Sequence, residues 1–331
     1  MKKIILTGDR PTGKLHLGHY LGSLLNRVKL QDKYDEFIMI ADAQALTDNA
    51  NKPQKVRDNI LEVALDNLAC GLNQKKVTIF IQSMVPEITE LFMYFLNLVT
   101  LARLQRNPTV RLEMKQKSFT ANVPVGFLVY PISQAADILA FKPALVPVGE
   151  DQLPMIEQTN EIAEKFNKTY GKIFHKIEAL VPKFSRLPGI DGKNKMSKSL
   201  NNAIYLADSY EEIKKKVMSM YTDPNHIHVN DPGKVEDNIV FIYLDIFDPD
   251  KKQLEKIKEH YRRGGVGDIA IKERLINILE KLIKPIRERR KKLAESPKEI
   301  LKILKNGTAK AREIADKTLT EVKQVMKINY F

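Results

Sequence analysis

The chain has 331 residues, 43% of them hydrophobic, which is enough to bury a sizeable core and suggests two domains rather than one. No apolar run approaches the roughly 20 residues that a membrane-spanning helix needs, and the apolar start Ile4-Ile5-Leu6 is cut off by Gly8-Asp9-Arg10-Pro11, too soon for a secretory signal. A single cysteine, Cys70, cannot form an internal disulfide, so a reducing, cytoplasmic setting is expected.

The net charge is +13, and its location says more than its size. Residues 251–331 hold 23 Lys/Arg against 11 Asp/Glu, so the tail carries almost the whole excess. Basic side chains that neutralise phosphates point to a polyanion partner. A solvated, lysine-rich helical surface would account for the charge equally well.

In chain order, Lys3–Leu6 reads as a short buried strand. His16–Leu30 reads as a helix, with Leu17, Leu21, Leu24, Leu25 and Val28 at helical spacing. Phe37–Ala41 is a second strand. Val56–Cys70 is a helix entered near Pro53 and stopped at Gly71. Val77–Ile81 is a third strand, and Pro86 opens a helical stretch to Leu104. Val125–Phe141 is apolar with polar insertions, Ala144–Val148 is a fourth strand, and Asp151–Tyr170 is helical. This alternation predicts an α/β fold with a parallel sheet covered on both faces. Ligands in such sheets sit beyond the carboxyl ends of the strands, so the loops after Leu6, Ala41 and Val148 are the first places to look. Beyond Tyr210 the pattern turns helical: Tyr210–Met220, Leu254–Tyr261, Ile269–Glu295, Pro297–Asn306 and Thr308–Lys327. The boundary falls near residues 185–205, and whether the last helix folds back on the first domain stays open.

The loop Gly8-Asp9-Arg10-Pro11-Thr12-Gly13-Lys14-Leu15 almost spells a phosphate-binding loop, but Leu15 stands where that motif needs a hydroxyl for Mg²⁺. His16-Leu17-Gly18-His19 follows, placing two imidazoles three residues apart on one helix face. Free amide groups at a helix start favour an anion. Gly18 would let a nucleotide approach the backbone, and the imidazoles would donate to an α-phosphate under attack. Far along the chain, Lys195-Met196-Ser197-Lys198-Ser199 lies in a Gly/Asn-rich run. Two ammonium groups there could close on a triphosphate and neutralise charge moving to pyrophosphate. Read singly, each motif could be a solvated surface feature.

In this order and spacing the two motifs resemble the HIGH and KMSKS motifs of class I aminoacyl-tRNA synthetases, over essentially the whole chain. The resemblance implies a Rossmann-like nucleotide-binding catalytic domain over 1–185, a KMSKS linker over 186–205 and an all-α anticodon-binding domain over 206–331. It implies activation of an amino acid by ATP, with Mg²⁺ accompanying the nucleotide, transfer to tRNA, and a homodimer. Tyr130-Pro131, Gln134-Ala135-Ala136-Asp137 and Gly149-Glu150-Asp151-Gln152 look like the tryptophanyl/tyrosyl subgroup. By that resemblance His16, His19, Lys195 and Lys198 are catalytic. Arg10, Pro11, Thr12, Gly18, Gly149, Glu150, Asp151, Leu187, Met196, Ser197 and Ser199 join His19 and the two lysines in binding ATP. Tyr130 and Gln152 hold the ammonium and carboxylate of the amino acid. Asp137 accepts a hydrogen bond from an indole N–H, a group that can only donate; a carboxylate also accepts from a tyrosine hydroxyl, so Asp137 alone does not decide between tryptophan and tyrosine.

Leu6 favours tryptophan over tyrosine, because the tyrosyl family has a hydrogen-bonding tyrosine at that strand position. The resemblance therefore implies L-tryptophan and tRNA(Trp) as substrates. Two departures stand: Gln134 takes a place where many tryptophanyl enzymes have methionine, and His16-Leu17-Gly18-His19 a place where many have Thr-Ile-Gly-Asn. The competing readings are a tyrosyl enzyme, a small-molecule nucleotidyltransferase and a non-catalytic tRNA-binding relative. His226 and His228 read as bland loop residues rather than a metal site, and Leu91, Phe92, Phe95 and Leu98 as core or a dimer seam.

Overall fold

The computed structural model describes residues 2–116, 122–181, 187–198, 200–223 and 225–330. The chain begins with β1 (Ile4–Asp9), α1 (Leu17–His19), a π-turn (Tyr20–Leu24), α2 (Leu25–Leu30), β2 (Asp35–Ile40), α3 (Asp42–Asn49), α4 (Pro53–Ala69) and β3 (Val77–Ile81). Next come α5 (Pro86–Leu96), α6 (Leu101–Arg106), α7 (Pro108–Gln116), α8 (Val125–Leu139), β4 (Leu145–Pro147), α9 (Leu153–Thr169) and β5 (Glu178–Leu180). The remainder is helical: α10 (Tyr210–Met218), α11 (Ile239–Phe247), α12 (Lys251–Arg263), α13 (Asp268–Ala294) and α14 (Pro297–Met326). Among the described residues no helix is long and apolar enough to cross a membrane. Two compact units form, one from Met1–Gly13, Leu21–Ser185 and Ser296–Phe331, the other from Lys14–Tyr20 and Arg186–Glu295.

In the first unit the five strands pair in parallel in the order β3-β2-β1-β4-β5. The order reverses between β1 and β4, which opens a crevice at their carboxyl ends. The loops that leave those ends, Arg10–Gly13 and Gly149–Gln152, are the ones the sequence singles out. Phe37, Phe80 and Phe141 meet with ring centroids 5.1–6.5 Å apart, and Phe95, Phe166 and Phe174 form a second aromatic cluster in the same core. Beneath the loop after β1, Arg27 is fully buried. Its guanidinium donates to Asp9 at 2.5 Å, to Asn67 at 2.7 Å and to Thr7 at 2.9 Å. That bracket ties the end of β1 to α2 and α4, so the loop at Arg10 leaves a rigid base.

Several elements differ from the expectation, each for a local reason. Asp42–Asn49 carries no clear apolar stripe and was not expected as a helix. The helix expected over Pro86–Leu104 breaks at Asn97–Thr100, where the Thr100 hydroxyl accepts the Arg103 amide and starts α6. Strand β5 has three residues, too few to show a period, and pairing with β4 makes it a strand.

The largest difference is α14. Gly307 was expected to separate two helices, but a single helix of 30 residues runs through it. A Cβ at Gly307 would stand 2.0 Å from the Ile79 carbonyl oxygen of β3. The glycine therefore serves close approach rather than a break, and the Thr308 hydroxyl accepts the Ile81 amide at 3.2 Å. β3 is an edge strand, and α14 covers it. Lys310 pairs with Asp35, Arg312 with Glu87 and Lys323 with Glu90. Part of the basic tail thus neutralises carboxylates of its own unit, and the last helix, whose place the sequence leaves open, falls in the first unit.

The second unit packs α10 on α13 and α11 on α13 and α12. Leu275, Leu279 and Ile283 of α13 are fully buried there with Tyr243 of α11 and Tyr261 of α12.

Replacing a helix-interior glycine by alanine ordinarily stabilises by about 1 kcal/mol. At Gly307 the sign reverses: Gly307→Ala lowers the urea midpoint, because α14 must lift from β3. A raised midpoint would show that the close approach carries no weight.

Candidate active site

Within the first unit, Asp137 of α8 is 1% exposed. The Gln82 amide donates to its Oδ1 at 2.8 Å, and the carbonyl of Gln82 is itself oriented by the Gln44 amide at 3.0 Å. Oδ2 is buried with no protein partner. Burial, reinforced by the Asp42 carboxylate and opposed by Gln82, pushes the carboxyl up to about 7. A buried acceptor left without a donor is costly, so the site is suited to a ligand that brings an N–H.

Tyr130 lies about two helical turns before Asp137, on the same face of α8, and is 7% exposed. Burial and the Glu113 carboxylate push its phenol up, so it acts as a neutral donor. Gln134, on the same helix, donates to the Gln152 side chain at 3.5 Å, and Gln152 donates to Asp151 at 3.3 Å. Leu6 is buried in the core on β1. Asp137, Tyr130 and Gln134 share one helix, and Gln134 reaches Gln152.

The two loops at the carboxyl ends of β1 and β4 are also built locally. Arg10 donates to Asp48 of α3 at 2.8 Å, Pro11 is buried, and the Thr12 amide donates to the Arg10 carbonyl. Gly149 precedes a 3₁₀ turn over Glu150–Gln152, and a Cβ on it would stand 2.7 Å from Asp151 Oδ1. Glu150 and Asp151 are exposed, and the Asp151 carbonyl is held by the Thr109 hydroxyl at 3.0 Å.

In the second unit, His16, Gly18 and His19 sit with the lysine loop. His16 caps α1: its Nδ1 accepts the Gly18 amide at 3.1 Å, while the His16 amide donates to His19 Nδ1 at 3.3 Å. The two ring centroids are 3.9 Å apart. The Leu17 amide donates to the Ile204 carbonyl, and Tyr205 pairs with His16 as an antiparallel bridge. Burial, His19, Lys198 and Lys195 together hold the His16 imidazole down to about 2. It is therefore neutral. With Nδ1 accepting, the proton sits on Nε2, which is a donor.

This corrects the anion site expected at a helix start. The Gly18 and His16 amides are taken by the imidazoles, and the Leu17 amide by Ile204. A Cβ on Gly18 would stand 2.9 Å from the His16 ring and 3.8 Å from Met196 Cβ. Gly18 thus makes room for the His16 ring.

The lysine loop is a folded turn. Pro188 and Lys195 bridge in antiparallel fashion, and the Met196 amide donates to the Leu187 carbonyl at 3.0 Å. Leu187 and Met196 are each 3% exposed, so Met196 anchors the stretch between Lys195 and Lys198. The Ser197 amide donates to Asn202. Ser199 lies outside the described residues. Of the residues read as bland, His226 is buried, its Nδ1 3.2 Å from Asp268 and its ring against Tyr261.

Gln82 and Asn202 were missed in the sequence. Gln82 directly follows β3, at the carboxyl end where ligands collect, and that position was its only signal. Nothing short of the folded loop marks Asn202.

A parallel sheet with a crevice at β1/β4, followed by imidazoles set beside lysines, defines a class of enzymes that activate a carboxylate with a nucleotide. Residues 2–284 match the family of class I tRNA synthetases for W and Y, and the chain belongs to that family. It is 60% identical to the tryptophan–tRNA ligase of Clostridium longisporum, covering 100% of this chain and 98% of that one. It is 58% identical to that of Streptococcus pyogenes serotype M3, covering 100% and 99%. Its structure is similar to tryptophanyl-tRNA synthetase from Campylobacter jejuni complexed with ADP and tryptophan. That likeness has a TM-score of 0.85 and 32% identity, covering 98% of this chain and 99% of that one.

The geometry at His16 gives a direct test. Nitrogen NMR should find the ring neutral, with its proton on Nε2, from pH 8 down to pH 4. A titration near the ordinary histidine value would overturn the arrangement.

Proposed function

We propose that this chain activates L-tryptophan with ATP and transfers it to tRNA(Trp). The tryptophan carboxylate attacks the α-phosphorus, pyrophosphate leaves, and tryptophanyl-adenylate forms. A hydroxyl of the terminal tRNA ribose then attacks the acyl carbon, and AMP leaves. ATP is the nucleotide of this family.

The observation that carries the amino-acid assignment is the buried, half-satisfied carboxylate of Asp137. Indole brings the one donor that Oδ2 lacks; a tyrosine hydroxyl would also donate, and Leu6, which offers that hydroxyl no hydrogen bond, favours indole. In this reading Tyr130 and Gln152 receive the ammonium and carboxylate of tryptophan, Gln134 orients Gln152, and Leu6 contributes apolar surface. Arg10, Pro11, Thr12, Gly149, Glu150 and Asp151 receive the nucleotide. His16 supplies a neutral Nε2–H donor to the α-phosphate with the His19 ring beside it, and Gly18 gives the His16 ring room. Lys195 and Lys198 neutralise the departing pyrophosphate, held by Leu187, Met196 and Ser197. A neutral imidazole gains charge-assisted strength only as the phosphate charge builds, which favours the transition state over bound ATP.

Mg²⁺ in this reading arrives on the nucleotide. It takes oxygen ligands, and the histidines and lysines offer it none. When bound it neutralises phosphate charge. The exposed Lys284, Lys291 and Lys292 of α13 support a phosphate-contacting, anticodon-side role for the second unit. The exposed apolar side chains of Met93 and Leu101 support the family's homodimer, since a second copy would cover them.

Pyrophosphate exchange tests the assignment, first with tryptophan and then with tyrosine. The chain contains no tryptophan, so indole emission reports added ligand directly. Exchange with tyrosine in preference to tryptophan would overturn the reading. Asp137→Ala leaves the indole donor unpaired at a cost of about 1–3 kcal/mol, so fluorescence titration should show weaker binding. Because the Asp137 carboxyl sits near 7 and an N–H donor favours its charged form, tryptophan affinity should rise with pH between about 6 and 8 and then level off. Lys198→Ala should slow adenylate formation by roughly 100-fold or more while tryptophan binding stays close to wild type. Equal loss of both would place Lys198 in ground-state binding instead.

A further inference from the structure

The loop that carries Lys195 and Lys198 is held by one buried side chain that lies outside its motif. Asn202 is 3% exposed. Its Oδ1 accepts the Ser197 amide at 2.8 Å. Its Nδ2 lies 3.2 Å from both carboxylate oxygens of Asp191 and 3.4 Å from the Lys195 carbonyl. Its own carbonyl accepts the Ile190 amide at 3.0 Å. One amide group therefore grips the backbone immediately on either side of Met196, and ties that segment to the turn at Asp191.

The other arm of the loop is seated separately. The Tyr243 hydroxyl of α11 donates to the Pro188 carbonyl at 2.6 Å. Gly192, at φ +68°, lies where a Cβ would stand 2.7 Å from Ile239 of the same helix. A Cβ at Gly189 would stand 2.1 Å from Asn202 Nδ2, so the amide is packed against the arm that α11 fixes. The path runs from α11 through residues 188–192 to Asp191, then through Asn202 to the backbone between the lysines.

We infer that Asn202 is a positioning residue for adenylate formation, holding the Lys195–Lys198 segment at the height from which its ammonium groups meet the phosphates, with Asp191 as its anchor. The inference rests on the proposed function. It extends that function to a residue that need not touch substrate. An error of about 1 Å in placing a catalytic group is enough to cost on the order of 100-fold in rate.

The test is a double-mutant cycle in pyrophosphate exchange on the full-length protein. Asn202→Ala should lower kcat 10- to 100-fold, by the same argument, with tryptophan binding by fluorescence unchanged. On a Lys198→Ala background the same substitution should cost little, since the group it positions is gone. Asn202→Asp sets two carboxylates face to face and should be as harmful. Adding Asp191→Asn supplies an amide donor to the new carboxylate, which still accepts the Ser197 amide but no longer donates to the Lys195 carbonyl, and should recover part of the rate. Full multiplicativity of the Asn202→Ala and Lys198→Ala effects, an unchanged kcat in Asn202→Ala, or failure of the exchanged pair to recover would each overturn the inference. Should Asn202→Ala not fold, the exchanged pair carries the test alone. A wild-type protein that exchanges no pyrophosphate with tryptophan would instead sink the functional reading on which the inference stands.

Discussion

The imidazole of His16 accepts the Gly18 amide at 3.1 Å, and the chemistry of the second unit depends on that bond. It fixes which nitrogen carries the proton and turns Nε2 into a donor. It also packs the ring over a position with no side chain, where Met196 comes close enough to bring the neighbouring lysines within electrostatic reach. Burial above all, then His19 and those two ammonium groups, keep the ring neutral. The arrangement is self-consistent. A charged imidazole would be repelled by the lysines and would lose the Gly18 amide as a donor partner.

A parallel logic governs the buried carboxylate of the first unit. Asp137 is held by Gln82 on one oxygen and left without a protein partner on the other, inside a core that penalises its charge. In the unfolded chain that carboxyl titrates near 3.8, whereas in the folded protein it titrates near 7. The folded state therefore loses stability relative to the unfolded one as pH rises between those values. A protein that tolerates such a penalty has kept an acceptor ready for a donor, which is a reasonable physical signature of a recognition site. The cost is offset elsewhere in the first unit, notably by the Arg27 bracket to Asp9, Asn67 and Thr7 and by α14, which closes the exposed edge of β3.

The role of α14 also changes what the basic tail means. Its lysines and arginines are not all offered to an external polyanion, because Lys310, Arg312 and Lys323 bind Asp35, Glu87 and Glu90. Charge counted along a chain measures what is available before folding. Only the remainder, including the exposed lysines at the end of α13, is left for a nucleic-acid partner.

The sequence by itself determined the parallel α/β architecture, the position of most strands and the two signature motifs. Short apolar strands, helical periodicity and motif spacing are local properties that a linear reading can recover. It also pointed to Asp137 and to the loops at the carboxyl ends of β1 and β4. What it could not show depends on residues distant in the chain. Gly307 reads as a helix break until β3 lies beneath it. Gly18 reads only as a bare stretch of backbone until the His16 ring lies against it. Gln82 is an ordinary polar residue until it meets Asp137, 55 positions away. Asn202 gains meaning only when the turn at Asp191 folds back on it. In each case tertiary structure decided the matter, because whether a polar group or a missing side chain is useful depends on what the rest of the chain places against it.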